Sequence, residues 1–309
     1  MPTATPIAFT SFLEGPAATL DGDLFVADVR ANRIWHLGPD GELDVFREDS
    51  GRAIGNTWDL DGRLVTCEGA EHGTGGRRRL TRTTLATGAV EVLVDRFEGR
   101  RLNSPNDVTC DAAGRLYFTD PRYGRRTDLE LDHESVYRYD PDGTLRRIVT
   151  QPAVHRPNGI AVTPDGALLY VVDSDHAVGG HRKIWAFDLD ADGEVAGASV
   201  GARLVYDFAP GRGGDGLALD VEGNLYVCAG IRRPRGPGET IDVPPGVYVI
   251  SPSGRLLDVI DVPYDVITNC CFGDADLRTL FVTAGHLVLR VRVGTPGYHA
   301  GMTPRPVAP

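Results

Sequence analysis

One phrase recurs six times along the 309 residues of this chain, and a chain repeating at such a period has few folds open to it. The clearest copy is Pro157 to Gly166 (PNGIAVTPDG) followed by Ala167 to Asp173 (ALLYVVD). The same shape returns at Pro105 to Asp120 and Gly214 to Ala229, and in weaker form at Gly15 to Asp28, Gly55 to Glu68 and Asn269 to Ala284. The turn glycines are Gly22, Gly62, Gly114, Gly166 and Gly223, with the sixth turn near Leu277, so the steps are 40, 52, 52, 57 and about 54 residues. Each copy is an apolar or alternating run, an Asp/Gly turn, then a run rich in Leu, Val, Tyr and Phe, which is the pattern of a β-hairpin. A second turn follows 19 to 31 residues later, at Asp40-Gly41, Thr87-Gly88, Asp142-Gly143, Asp192-Gly193, Ser253-Gly254 and Pro296-Gly297. Two hairpins per repeat make a four-stranded unit, and no long segment of helical period interrupts them. The pattern predicts an all-β, six-bladed β-propeller with four-stranded antiparallel blades, one domain over residues 1–309. The run Pro6 to Leu13 precedes the first copy and is expected to pair with the last blade, because an open blade edge is an aggregation hazard. Trp58-Asp59 is the only Trp-Asp pair and falls in the wrong part of the repeat for a WD-type blade.

The residue eight places before each turn is Glu14, Ile54, Asn106, Asn158, Asp215 and, counted from Leu277, Asn269. In a propeller the start of each innermost strand faces one end of the central channel, so these six positions are expected to converge. Two carboxylates and three carboxamides at one axial spot are costly to bury unless a cation joins them. Such hard oxygen donors suit Ca²⁺ or Mg²⁺, and can accept Mn²⁺ or Zn²⁺. Against this, Asn-Gly, Asn-Asp and Asp-Gly are also common turn dipeptides that merely start strands.

The formal net charge of −11 argues against a nucleic-acid or anionic-membrane partner. No stretch approaches 18 uncharged apolar residues. Met1 to Thr10 has neither a basic n-region nor an apolar run, so no secretory leader is expected. Five cysteines without a C-x-x-C fit reduced thiols and a cytoplasmic location better than a disulfide framework. The expected partner is a small-molecule substrate, with no obligate protein partner evident.

Several pieces, in order along the chain, resemble the gluconolactonase, senescence marker protein and luciferin-regenerating enzyme family. They are Glu14-Gly15-Pro16, Asn103 to Val108 (NSPNDV), Tyr117 to Pro121 (YFTDP) with Tyr123-Gly124, Arg156 to Ile160 (RPNGI), Gly214-Asp215-Gly216 and Asn269 to Gly273 (NCCFG). The resemblance implies a propeller hydrolase that opens sugar lactones with one divalent metal in the axial channel, usually Ca²⁺ or Zn²⁺, with Ca²⁺ expected here. Carried over by position, it implies Glu14, Asn158 and Asp215 as metal ligands, Asn106 as a ligand or substrate contact, Asp215 as the catalytic carboxylate and Asn269 as a channel-lining residue expected to touch substrate. Asp215 could take the proton of the attacking water, orient that water, or attack directly; the sequence leaves these open. Two departures stand out. Ile54 replaces the Asn that many relatives carry. Cys67 to His72 (CEGAEH) replaces their Cys-Glu-His, so His72 is expected to have moved away from the site.

Near the channel mouth, Tyr123, Arg122 and His155 are candidate lining residues, with Tyr123 and His155 expected to touch substrate. Asp120 and Asp173 recur at equivalent strand ends and are expected to cap turns. Gly197 to Gly201 matches G-x-S-x-G but lacks the strand-to-helix setting of a nucleophile elbow. Asp188 to Gly193 starts like an EF-hand loop, yet its twelfth position is Ser199. No H-x-x-x-H occurs, so a dedicated His-ligated zinc site is not expected. The alternatives to a lactonase are a metal-dependent propeller enzyme of another class, phosphotriesterase-like or biosynthetic, and a non-catalytic binding propeller.

Overall fold

Each of the first five copies of the repeat folds into four antiparallel strands in consecutive order. In blade one these are Leu13–Ala18, Leu24–Asp28, Arg33–Leu37 and Leu43–Arg47. The innermost strands of the next five blades are Ala53–Trp58, Val108–Cys110, Pro157–Val162, Gly214–Leu219 and Ile267–Gly273. The computed structural model describes residues 5–70, 75–196 and 202–304. Among them there is no helix, hence none long and apolar enough to cross a membrane. The six sheets form a β-propeller, as the sequence predicts.

Strand burial falls from axis to rim. Leu13–Ala18 and Ala53–Trp58 are buried along their whole length, whereas Leu43–Arg47 and Val90–Val94 are exposed over their first three residues and half-buried over the last two. The apolar side chains gather into six clusters, one between each pair of neighbouring blades. Tyr170, Val172 and Ile184 of blade four, for example, pack against Leu217, Leu225 and Val227 of blade five. Each such side chain contributes roughly 1.5–3 kcal/mol when fully buried.

Blade six closes the ring with strands from both ends of the chain. Thr5–Phe9 lies antiparallel to Leu287–Arg292, with Thr5 opposite Arg290. The closing strand is shorter than the Pro6–Leu13 run expected from sequence, because Leu13 already opens blade one. This strand takes the place of a sixth outer strand, so Pro296-Gly297 is not a hairpin turn. The chain instead crosses the end of the channel there: Val221 N–H donates to Pro296 O (3.0 Å) and Tyr298 N–H to Leu219 O (2.8 Å).

The turns follow from their residues. Gly22, Gly62, Gly114, Gly166 and Gly223 all have φ between +70° and +94°, and Leu277 takes the same left-handed place at +52°. Carboxylates at the ends of second strands tie down the segments that lead into the inner strands. Asp120 accepts from the N–H groups of Asn103 and Ser104, both at 2.7 Å. Asp173 accepts from those of His155 (3.0 Å) and Arg156 (2.9 Å), and Asp28 from those of Ser11 (3.1 Å) and Phe12 (3.2 Å). Each anchored pair lies just ahead of Asn106, Asn158 or Glu14.

Candidate functional site at one mouth of the channel

The inner strands start irregularly. Pairing with the neighbouring strand skips between Glu14 and Ala17, Pro157 and Ile160, and Gly214 and Leu217. Such bulges re-aim side chains, here toward the axis. Glu14, Asn106, Asn158 and Asp215, from four blades, line one cavity of about 320 Å³ together with Phe12, Tyr123, His176, Arg212, Arg235, Glu239 and Val266. Four of the six repeat positions therefore meet.

The other two do not. Ile54 packs where a Cβ on Gly69 would lie 2.4 Å from its Cδ1, and among the described residues blade two supplies none to the cavity. Asn269 lies one residue past the shared register. Gly214 pairs with Ala229 and Ile267 with Ala284, so the counterpart of Asp215 is Thr268. Blade six has one more residue between this position and its turn, which shifts a count made backwards from Leu277.

Asn269 belongs to a second feature, which the sequence reading missed. The residue after the register position is Gly15, Gly55, Gly159 or Gly216 in four blades, but Asp107 and Asn269 in the opposed blades three and six. These two side chains reach across the axis, and Asn269 Nδ2 donates to Asp107 Oδ1 at 3.4 Å. The glycines make room: a Cβ on Gly216 would come within 2.1 Å of the Asn269 side chain, and one on Gly55 within 2.6 Å of Asp107 Oδ1. Burial pushes the Asp107 carboxyl up to about 7. Beyond this waist lies a smaller chamber of about 80 Å³, lined by Asn56, Trp58, Cys271, Tyr298 and His299 among others. The C-terminal crossing closes it, and His299 Nε2 meets Thr57 Oγ1 at 3.3 Å.

On the cavity side, hydrogen bonds set the donor atoms. Asn158 Nδ2 donates to Tyr123 Oη (3.0 Å), whose own hydroxyl donates to Ser174 O (3.0 Å). Asn158 also hydrogen-bonds the Asp215 carboxylate. Its amide hydrogens thus have partners, and its Oδ1 remains as the acceptor on offer. Among the described residues nothing hydrogen-bonds the Asn106 carboxamide, although only 6% of that residue is exposed. Burial raises the Asp215 carboxyl, while Arg212 Nη2 at 3.5 Å and Asn158 hold it down. Arg212 Nη1 also donates to Glu239 Oε1 at 2.5 Å. His176 accepts or donates at Ser174 Oγ (3.0 Å) and stands 4.0 Å from Glu239. Burial, then the charges of Arg212, Arg182, Arg156 and Arg235, push its imidazole down to about 2, so it is neutral near pH 7.

Tyr123 therefore lies in the cavity, as the sequence reading expects, with its hydroxyl spent on Asn158 and Ser174. His155 does not line it: its ring stacks on His181 with centroids 3.7 Å apart, beside Asp173. His72 and the Gly197–Gly201 motif lie outside the described residues. Asp190 holds an ordinary turn, accepting from the N–H groups of Asp192 and Glu194, both at 2.9 Å. Sequence reasoning missed His176, Arg212, Arg235 and Glu239, which sit on or beside loops that carry no repeat.

The donor set fits a hard divalent cation: two buried carboxylates, a carboxamide oxygen left free at Asn158, and an unpartnered carboxamide at Asn106. Among the described residues no group of three His, Cys, Asp or Glu side chains could hold a metal, so a softer, His- or Cys-rich centre does not fit. All five cysteines are free.

Fold and cavity together define a six-bladed propeller with a polar, charge-bearing pocket at one end of its axis. Residues 12–286 match the family described as "SMP-30/Gluconolactonase/LRE-like region", and the chain belongs to that family. It is similar to a gluconolactonase of Zymomonas mobilis, 33% identical over 308 residues, with 92% of this chain and 79% of the relative covered. It is also similar to a 6-deoxy-6-sulfogluconolactonase of Pseudomonas putida, 35% identical over 273 residues (84% and 78% covered). A solved gluconolactonase structure from Xanthomonas campestris superposes with a TM-score of 0.78 at 31% identity, covering 96% of this chain and 90% of that one.

Proposed function

We propose that this hydrolase of the lactonase type opens a sugar lactone or related lactone at the Glu14–Asn106–Asn158–Asp215 cavity. The observation that carries the reading is the meeting of these four oxygen-bearing side chains, each from a different blade, in one pocket of ligand size. The relatives named gluconolactonase and sulfogluconolactonase support the substrate class.

In lactone opening, water adds to the ring carbonyl, the acyl C–O bond breaks, and an alcohol and a carboxylate form with release of one proton. Asp215 is the residue placed to orient that water and accept its proton: it lines the cavity, and Arg212 and Asn158 fix its carboxylate. Tyr123 acts through Asn158, holding its carboxamide in one orientation. Asn106 offers the cavity an amide with no hydrogen-bond partner among the described residues, placed to meet substrate or a metal. Glu14, Asn158 and Asp215, with Asn106, would hold one divalent cation, Ca²⁺ foremost; when bound it supplies carbonyl polarisation and stabilisation of the developing oxyanion. Asn269 and His155 contact no substrate in this reading. The protein works as one domain over residues 1–309 on a small molecule, without nucleic acid, membrane or obligate protein partner, and its five free thiols fit the cytoplasm.

The test is proton release from aldonolactones and aliphatic lactones, corrected for spontaneous opening, with and without chelator and with Ca²⁺, Zn²⁺, Mn²⁺ or Mg²⁺ restored. Hydrolysis that chelation removes, metal restores, and Asp215→Asn lowers by at least 10²-fold is the expected result. Full turnover in Asp215→Asn would overturn the role of this carboxylate.

A further inference from the structure

The cavity has two chemically different walls. One carries the oxygen donors. The other, from Arg212 ahead of the inner strand of blade five and from the 232–243 loop, carries two guanidiniums beside Glu239. Of these, Arg212 is fully engaged by Glu239 and Asp215. Arg235 is not. Its backbone N–H donates to Glu239 Oε2 at 2.6 Å, which fixes residue 235 at the cavity, while among the described residues no carboxylate pairs with its guanidinium. The carboxylates nearest in charge are already employed: Glu239 by Arg212 and this backbone bond, and Asp265 by the Arg232 N–H at 2.8 Å.

Of its other charged neighbours, Asp215 is already held by Arg212, and the rest are of like sign. Arg212 and Arg30 both oppose the charge of Arg235. Arg30 lies over the ring of Phe12, itself a cavity wall, at 5.2 Å, and it too has no ion pair among the described residues. The cavity lining sets the carboxylates of Glu14, Asp215 and Glu239 against the guanidiniums of Arg212 and Arg235, and because Arg212 takes up both Asp215 and Glu239, Arg235 and Arg30 are left as the cations at this mouth without an ion pair among the described residues. Neutral hydroxyls of a sugar do not call for such a wall. An oxyanion does, because a guanidinium offers paired donors matched to carboxylate, sulfonate or phosphate oxygens.

We propose that Arg235, assisted by Arg30, is the specificity-determining group of this site and that the substrate is a lactone bearing an anionic substituent away from its ring carbonyl. This rests on the lactonase reading above. The shared chemistry is an oxyanion, whose source is a carboxylate, sulfonate or phosphate ester. The substituent takes no part in bond making; it holds the ring so that the carbonyl faces Asp215.

Two matched pairs test this: D-glucono-1,5-lactone against its 6-phosphate, and D-glucono-1,4-lactone against D-glucaro-1,4-lactone. The wild-type protein should favour the anionic member of at least one pair by tenfold or more in kcat/KM, mainly through KM, and the pair that shows it identifies the oxyanion. Arg235→Gln should lower that preference at least tenfold, Arg235→Lys should restore part of it, and added salt should weaken it. Equal loss on neutral and anionic lactones in Arg235→Gln would instead make Arg235 a support of the loop or a holder of the new carboxylate, and overturn the proposal. So would a wild-type preference for the neutral members. Binding of the open-chain products, gluconate against 6-phosphogluconate and glucarate, is measured by calorimetry on the same variants. That comparison reads the charge preference even if no lactone is turned over, so failure of the lactonase reading and failure of the anion reading are distinguishable.

Discussion

His176 shows how far a side chain's chemistry can be set by neighbours that are remote in sequence. Its imidazole is half-buried among four arginines, and burial is the largest influence holding it neutral down to a pH of about 2. The consequence for stability has a definite sign. In the unfolded chain the ring binds a proton below about 6.5, whereas in the folded chain it does not, so acid favours unfolding. This contribution to stability is complete above pH 6.5 and is lost as pH falls below it, at up to about 1.4 kcal/mol per pH unit. His176→Gln keeps a partner for Ser174 Oγ and removes the titration. Denaturant unfolding between pH 6.5 and 4.5 should therefore show a shallower loss of stability in the variant than in the wild type, and identical slopes would contradict the assignment. At this scale the sequence was readable only where the repeat spoke. Glu14, Asn106, Asn158 and Asp215 stand at one register in four copies, and counting finds them. His176, Arg212, Arg235 and Glu239 have no counterpart in other copies, and their meeting depends on how unrepeated segments pack. The waist was legible only in blade three, where Asp107 stands after the register residue in the place four copies give to Gly; in blade six the extra residue before the turn puts Asn269 itself at the counted position.

Elements are held in place here by carboxylates at strand ends. Asp120 ends the second strand of blade three, Leu116–Asp120, and takes both backbone donors of the Asn103–Ser104 turn. Three residues after Asn103 comes Asn106, so this carboxylate sets where the inner strand begins and hence where a site side chain points. Asp120→Ala would leave two buried N–H groups without acceptors, at about 1–3 kcal/mol each. The expected result is a loss of about 2–5 kcal/mol in unfolding free energy and a fall in lactone turnover measured well below the melting temperature, since Asn106 loses its anchor. A variant that is destabilised yet fully active would show that the turn supports the blade but does not position the site. The sequence had Asp120 and Asp173 as caps because the same residue recurs at the same strand end. The element it misread was Pro296-Gly297. A Pro-Gly pair at the right spacing has the local chemistry of a turn, and only the shortage of room tells otherwise. A Cβ on Gly297 would lie 1.9 Å from the Phe272 ring, in a chain that is crossing the channel end rather than turning back.

At the scale of the whole molecule, the propeller is a ring whose six interblade cores are all complete only if blade six has its full set of strands. Six second turns in the sequence imply six outer strands, and the chain supplies the last one from its beginning, Thr5–Phe9, rather than from its end. That arrangement ties the two ends of the chain together through one ladder, and Ile7 adds apolar packing to the cluster between blades six and one. It also protects Leu287–Arg292, an edge with alternating apolar residues that would otherwise stand open. Removing residues 1–9 leaves every residue of the candidate site in place but deletes this ladder. With net hydrogen-bond contributions of about 0.5–1.5 kcal/mol each and part of one buried Ile, the loss should be on the order of several kcal/mol. Thermal unfolding should fall clearly below that of the full chain, and light scattering should show association through the exposed edge at temperatures where the full chain stays monodisperse. Below that transition, lactone turnover per folded molecule should stay near the full-length value, because among the described residues the cavity is built by blades one, three, four and five, and the segment leading into blade six only brings Val266 to its wall. If turnover is lost while the truncated chain remains folded, closure of the ring is not merely a matter of stability, and the geometry of the mouth depends on tension carried through all six blades.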